Sequence, residues 1–281
     1  MRLLLVTVLL ALPGPLLAQD MGATPMGAQG GMAAARPPAE SLRTAAQVTA
    51  YLATVPPGSI PDLRGLHLDS LDFRGVDFRK ADLTGATLAG ARFDGADLFS
   101  CDLTDAVAPG ASFMKANLDG ITLRRAQLPR ATLRGASLFA TILEGVDLRE
   151  ADLRDTRIIG YLRKANLAGA RLDGANIGAD PGNQSMGVMR AQFTSADLTG
   201  ASLAGANLYK ADFSYAVLRG ADLSNADLRN SDLVQADFTE ATLTGAKLAL
   251  ADVSGAIFTR AVGITTIQGL DQARRRAEAI F

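Results

Sequence analysis

The amino-acid sequence predicts an all-β solenoid wound in coils of twenty residues, four sides to the coil, with a short helix closing each end. Three observations carry this expectation. From about residue 61 to residue 260 the chain repeats a five-residue unit: alanine, aspartate or asparagine, leucine or phenylalanine, then two variable residues, as in ADLTG at 81–85 and ADLRN at 226–230. Within that period, Phe73, Phe93, Phe113, Phe193 and Phe213 are spaced by multiples of twenty, and so are Phe78, Phe238 and Phe258. All eight therefore fall in two of four columns, while the columns through Leu63, Leu83 and Leu103 and through Leu68 and Leu88 hold none. Such segregation is expected where rings stack coil upon coil in a confined interior. Third, glycine often ends the unit, as at Gly75, Gly85, Gly95, Gly145, Gly200 and Gly220, where a corner with positive φ favours it.

Along the chain, the first element reads as an export signal. Arg2 supplies the positive start, residues 3–12 are apolar, and Pro13, Gly14 and Pro15 lead to a cleavage point after Ala18. The apolar run is too short and too broken to serve as a membrane anchor, and no cysteine follows it to take a lipid. Residues 1–18 are thus expected to be removed and the protein to be periplasmic or extracellular. Residues 19–40, rich in Ala, Gly, Met and Pro, read as a flexible linker. Over 41–55, Leu42, Ala45, Val48 and Leu52 recur at helical spacing after a capping Ser41, and Pro56 and Pro57 end the segment. That helix is expected to lie on the first coil.

The array of 61–260 resembles the pentapeptide-repeat family, on the units ADLFS at 96–100, ANLDG at 116–120, ANLYK at 206–210 and their many relatives. The resemblance implies a right-handed, four-sided (quadrilateral) β-helix with one pentad per side. It also implies that the leucine or phenylalanine points inward, that the alanine two residues earlier fills a small inward slot, and that the other three positions face solvent. A larger residue in the alanine slot would overpack the interior at a cost of roughly 1–3 kcal/mol. Cys101 occupies one such slot and reads as a buried substitute for alanine. At a strand spacing of about 4.8 Å per coil, roughly ten coils would extend some 48 Å.

The frame is irregular over 161–190. It loses a residue at 161–164, continues through Leu167, Leu172 and Ile177, and regains it by the polar segment 180–185, DPGNQS. A bulge is expected near Tyr161 and a surface loop at 180–185. Because Ile158 and Phe193 are separated by a whole number of pentads, Phe193 is expected to return to the phenylalanine column. Beyond the array, Leu270, Ala273, Ala277 and Ile280 read as the apolar stripe of a closing helix within 261–281, with Arg274, Arg275 and Arg276 on its wet side.

Composition limits the chemistry. A net charge of −1 gives no overall field to draw nucleic acid or anionic lipid, Cys101 and His67 are the only cysteine and histidine, and tryptophan is missing. Neither a serine elbow nor a phosphate loop is present, and the glycines follow the structural period. The chain reads as non-catalytic, with no cofactor and no metal. The outer faces are then the place to look. A basic belt in 115–171, including Arg124, Arg125, Arg130, Arg134, Arg149 and Arg154, stands between more acidic coils and would suit an acidic protein, an anionic glycan or a phosphate group. Phe99, Phe139 and Ile159 each follow an inward residue and share one column, interrupted by Asp119, which makes them an outward apolar stripe.

Two functions follow from these readings. One is an exported, non-catalytic scaffold that presents a rigid face to another protein, with end-to-end pairing of two copies left open. The alternative, known for some pentapeptide-repeat proteins, is a DNA mimic that binds a type II topoisomerase. Export and near-neutral charge both count against it.

Overall fold

The computed structural model describes residues 41–179 and 189–281, together with Pro38, all within the unit Gly31–Phe281. The expected signal at 1–18, nearly all of the expected linker at 19–40 and the expected loop at 180–185 lie outside the described residues.

The first element, α1, spans Ala45–Thr54. Its start is set by Thr44 rather than Ser41: the Thr44 hydroxyl accepts from the Gln47 N–H at 3.2 Å, and the Gln47 side chain accepts from the Thr44 N–H at 3.0 Å. This reciprocal pair satisfies two donors that the first turn leaves without a partner. Val48 is fully buried, and the Tyr51 hydroxyl accepts from the Asp62 N–H at 3.1 Å. The helix is therefore joined by packing and by a hydrogen bond to the residue that opens the repeat.

One pentad shows how the repeat holds itself. In 81–85 the Ala81 N–H bonds back to Phe78 O at 2.8 Å, closing the preceding corner. Asp82 N–H donates to Pro61 O of the previous coil at 2.9 Å, and Leu83 N–H donates to Asp102 O of the next at 2.7 Å. Gly85 N–H donates to Thr104 O at 2.9 Å. The remaining donor, Thr84 N–H, is met by its neighbour's side chain, Asp82 Oδ1, at 3.0 Å. All five amides are satisfied, as buried or ladder-bound backbone requires.

Because a corner intervenes every five residues, most sides contribute a single paired residue. Parallel bridges join position i to i+20 in four columns that begin at Asp62, His67, Asp72 and Asp77. Each corner takes a left-handed residue, whether glycine, as at Gly85 (φ 65°), or not, as at Lys80 (φ 63°) and Arg130 (φ 58°). A non-glycine residue there costs about 1 kcal/mol, which the ladder bond at the same amide offsets. Alanines and leucines of the repeat are buried in one continuous core.

Phenylalanines stack as expected, but only locally. Phe73 and Phe93 lie 5.3 Å apart between ring centroids, and Phe93 and Phe113 5.0 Å apart and nearly parallel. Phe193 and Phe213 stack at 4.8 Å, and Phe238 and Phe258 at 5.0 Å. The expected return of Phe193 to the Phe73 column does not occur. Its neighbour Gln192 pairs with Tyr161, which pairs with Ile142, Thr122 and so on back to Asp62. Phe193 thus continues the column of Leu63, and by the same tracing Phe238 continues that of Leu68. Phenylalanines occupy all four columns once the chain is followed by its hydrogen bonds rather than by its numbering.

The break explains the difference. Strands β1 (Ser137–Ile142) and β2 (Arg157–Tyr161) pair in parallel, Phe139 with Ile159 but Thr141 with Gly160, so Ala140 bulges out. This is the expected bulge, placed opposite the missing residue. Gly160 is needed there because a Cβ would meet the Thr141 carbonyl oxygen at 2.4 Å. Tyr161 then pairs with Gln192, thirty-one residues on. One residue short and then eleven long, the break adds ten residues in all, which is two sides of a coil. Counting by twenty across it lands two columns away.

The expected closing helix is also corrected. Val262, Gln268, Arg274 and Ile280 pair with the coil beneath, six residues apart, with single 3-10 turns at Ile264–Thr266, Leu270–Gln272 and Arg276–Glu278 between them. An α-helix would direct these amides along its own axis and leave the preceding coil's carbonyls unmet. Here Gln268 N–H reaches Ala246 O, and Arg274 N–H reaches Ala251 O, both at 2.8 Å. Leu270 and Ala273 are buried as expected, whereas Ala277 and Ile280 are exposed.

Candidate functional site

The outward positions have local work to do, and this decides what remains for a partner. Aspartates before an inward residue stand at a position expected to face solvent. Their Oδ1 atoms accept from the N–H two residues on, as Asp97 does from Phe99 at 3.0 Å, Asp102 from Thr104 at 2.8 Å and Asp222 from Ser224 at 2.9 Å. At some sides that lack such an aspartate, the coil beneath supplies one: Asp69 accepts from Ala89 N–H at 2.7 Å and Asp119 from Phe139 N–H at 2.8 Å. The signal for this role was in the sequence, since Asp and Asn are the side chains that close such turns.

A second local motif is Asp-x-Arg. The guanidinium of the third residue folds back on the first, as Arg74 does on Asp72, Arg149 on Asp147, Arg154 on Asp152 and Arg229 on Asp227. Hydrogen bonds from the Arg74 side chain and backbone bring the Asp72 carboxyl down to about 2. Asp147, Asp152 and Asp227 are lowered by the same type of arginine bond, against the opposing effect of burial.

The predicted basic belt is therefore largely paired within the chain. Arg125 Nη2 lies 2.5 Å from Asp105 Oδ2, Arg134 Nε 3.1 Å from Asp155 Oδ2, Arg154 Nη2 2.5 Å from Asp152 Oδ2 and Arg124 Nε 3.9 Å from Glu144 Oε2. Arg130 is an exposed corner residue with no carboxylate partner among the described residues. Nor do these arginines share one column. Arg124 and Arg125 follow Leu123 in the column of Leu63, Arg130 follows Leu128 in that of Leu68, and Arg134 and Arg154 follow residues in that of Phe73.

The apolar stripe is shorter than expected. Phe99 is 40% exposed, Phe139 is half-buried with the Arg157 guanidinium 4.7 Å above its ring, and Ile159 is buried at 2%. Ile159 was expected to face outward. In β2 it pairs with Phe139 beside the bulge at Ala140, and the irregular backbone there encloses it.

The two rarest reactive residues are also engaged. Cys101 Sγ donates to Phe78 O at 3.0 Å, and burial pushes its thiol far above the ordinary range. His67 Nδ1 lies 3.1 Å from Thr87 Oγ1, whose proton goes to Asp69 at 2.8 Å, so the ring nitrogen is the donor. Among the described residues no group of three or more His, Cys, Asp or Glu side chains could hold a metal ion, and no helix is long and apolar enough to cross a membrane.

A family model described as pentapeptide repeats matches the chain in 8 copies, over residues 62–98, 116–155, 189–225 and 221–260. Similar solved structures include HetL, a pentapeptide repeat protein involved in heterocyst differentiation regulation from the cyanobacterium Nostoc. It is 28% identical, over 85% of this chain and 99% of its own, with a TM-score of 0.41. Another is QnrB1, a plasmid-mediated fluoroquinolone resistance protein, 21% identical over 62% of this chain and 90% of its own, with a TM-score of 0.38. A third is a pentapeptide repeat protein from the Arabidopsis thaliana thylakoid lumen, 24% identical over 44% of this chain and 73% of its own, with a TM-score of 0.21. No curated protein matches the chain.

Proposed function

The chain belongs to the pentapeptide-repeat family, and from that premise we propose that it is an exported, non-catalytic scaffold whose outer faces bind another protein. In this reading the twenty-residue coils form a right-handed, four-sided β-helix, closed by α1 at one end and by the six-residue sides of the last coil at the other. The observation that carries it is the commitment of reactive side chains to bonds within the fold. Cys101 is buried on a carbonyl, His67 is tied to Thr87, and the aspartates close turns. A scaffold needs stiffness and addressable surface, and those bonds supply the first. For the second, Phe99 is exposed on the expected stripe, and Arg130 is an exposed belt arginine with no carboxylate partner among the described residues.

The same bonds weigh against the DNA-mimic alternative, because carboxylates tied to Arg74, Arg79, Arg149 and Arg154 do not form an open row of negative charge. Export rests on the composition of residues 1–18. Cell fractionation with N-terminal sequencing, followed by crosslinking in the compartment found, tests the whole reading. A mature chain starting near Gln19 outside the cytosol, crosslinked to one recurrent protein, is the expected result. Retention of residues 1–18 on a cytosolic protein that inhibits gyrase supercoiling would replace it with the alternative.

A further inference from the structure

Among the described residues, every aspartate that precedes an inward core residue accepts from the N–H two positions on, with one exception, Asp232. Asp212, Asp222, Asp227, Asp237 and Asp252 around it all close their turns. Asp232 instead turns its oxygens to two guanidinium groups: Oδ2 accepts from Arg190 Nη1 at 2.5 Å and Oδ1 from Arg274 Nη2 at 3.3 Å. Both partners are products of the irregularities in the coil. Arg190 lies on the chain that re-enters the ladder at Gln192, and Arg274 pairs with Asp252 only because the last coil runs six residues to a side. Arg274 is further held by its Nε on Leu250 O at 3.0 Å.

These residues line a groove of about 440 Å³ together with Lys210, Asn230 and Leu250. Three cations and one carboxylate line the groove, and Asp212 Oδ2 lies 3.7 Å from Arg190 Nη2 beside it, so the site keeps a positive excess with both carboxylates counted. Lys210 has no carboxylate partner among the described residues, and its Nζ sits 5.3 Å from the Tyr209 ring. Guanidinium groups offer planar forks that match tetrahedral oxyanions, and an ammonium adds a point charge. Asp232 bonds both guanidinium groups, and both line the same groove.

We propose that this groove binds a doubly charged tetrahedral oxyanion, the phosphate group of a small soluble phosphate monoester. Two guanidinium groups and an ammonium on one groove suit the three terminal oxygens of a phosphate group better than the two of a lone carboxylate. The volume exceeds that of the oxyanion itself, and Leu250, 51% exposed, gives the group that carries it an apolar wall.

The test uses the full chain, titrated with inorganic phosphate, with sulfate and with acetate at matched ionic strength, by calorimetry and by the thermal midpoint. Phosphate and sulfate should bind saturably and raise the midpoint, as any ligand of the native state does, and acetate should do neither. Arg274→Gln and Lys210→Gln should each weaken binding about tenfold, the loss expected for one charged hydrogen bond. Lys210→Gln guards against a folding artefact, since the Lys210 side chain makes no ladder bond. Arg260→Gln, which removes an exposed pair with Glu240 elsewhere, should leave binding unchanged. Equal responses to phosphate and acetate, or unaltered binding in both the Arg274 and Lys210 variants, would overturn the assignment.

Discussion

The coils before Ala140 and those after Gln192 follow the same local rules, yet they carry their phenylalanines in different columns. In the first region Phe73, Phe93 and Phe113 stack beside Phe78, whereas in the second Phe193 stacks with Phe213 alone and Phe238 begins a separate stack through Phe258 to Phe281. What passes from coil to coil is a hydrogen-bond register and a ring-on-ring contact, each of which sees only its nearest neighbour. A column's identity therefore need not survive an interruption. The two regions also differ in charge chemistry: the Asp-x-Arg pairs of Asp72, Asp77, Asp147 and Asp152 precede or flank the break, and that of Asp227 follows it.

The sharpest way to break this comparison is to remove one ring from each stack. Phe93→Ala should cost about 4–5 kcal/mol and Phe213→Ala about 3 kcal/mol, because Phe93 touches three rings and Phe213 one. Denaturant unfolding of the two variants measures this, and equal losses would show that the stacks do not act locally. A smaller effect separates the slots from the turns. Ala131→Leu and Ala221→Leu, one in each region, should each lose about 1–3 kcal/mol by overpacking, while Asp222→Ala, which removes one turn bond, should lose about 1 kcal/mol or less. Thermal midpoints that fall equally for all three would count against the assignment of inward and outward positions.

Acid should produce the gentlest effect. A carboxyl whose folded pKa lies below its unfolded value contributes stability that is complete above the unfolded value. That stability disappears as pH falls through the folded one. For Asp72 the window runs from the ordinary 3.8 down to about 2, and for Asp77, Asp147, Asp152 and Asp227 the direction is the same. These pairs are exposed, so each contributes little. Hydrogen exchange between pH 4 and 2 should nonetheless loosen the coils around Asp72 and Asp77, where two such pairs lie on adjacent sides. Exchange in those coils that stays unchanged down to pH 2 would contradict the expectation.

Much of the architecture was legible residue by residue. The alanine slot, the inward leucine and the left-handed corner are each decided within five residues, and each was read correctly at Ala81, Leu83 and Gly85. The bulge was legible as a missing residue. The candidate surfaces were less so. Ile159 follows an inward residue just as Phe99 does, and no property of isoleucine announces that the bulge opposite would bury it. The arginines of the belt were visible as charges, but whether a guanidinium is open or folded onto a carboxylate two residues away or a coil below depends on side-chain geometry.

By itself, then, the sequence determined the repeat, its inward and outward positions and the twenty-residue coil, because these follow from contacts within one pentad and between adjacent ones. Only the tertiary structure decided where the ladder resumes after Ile177, how the last coil closes and that Asp232 would serve two arginines rather than its own turn. The reason is physical. The length of chain outside a ladder is free to vary, and the register beyond it is chosen by whichever backbone groups meet when the chain returns.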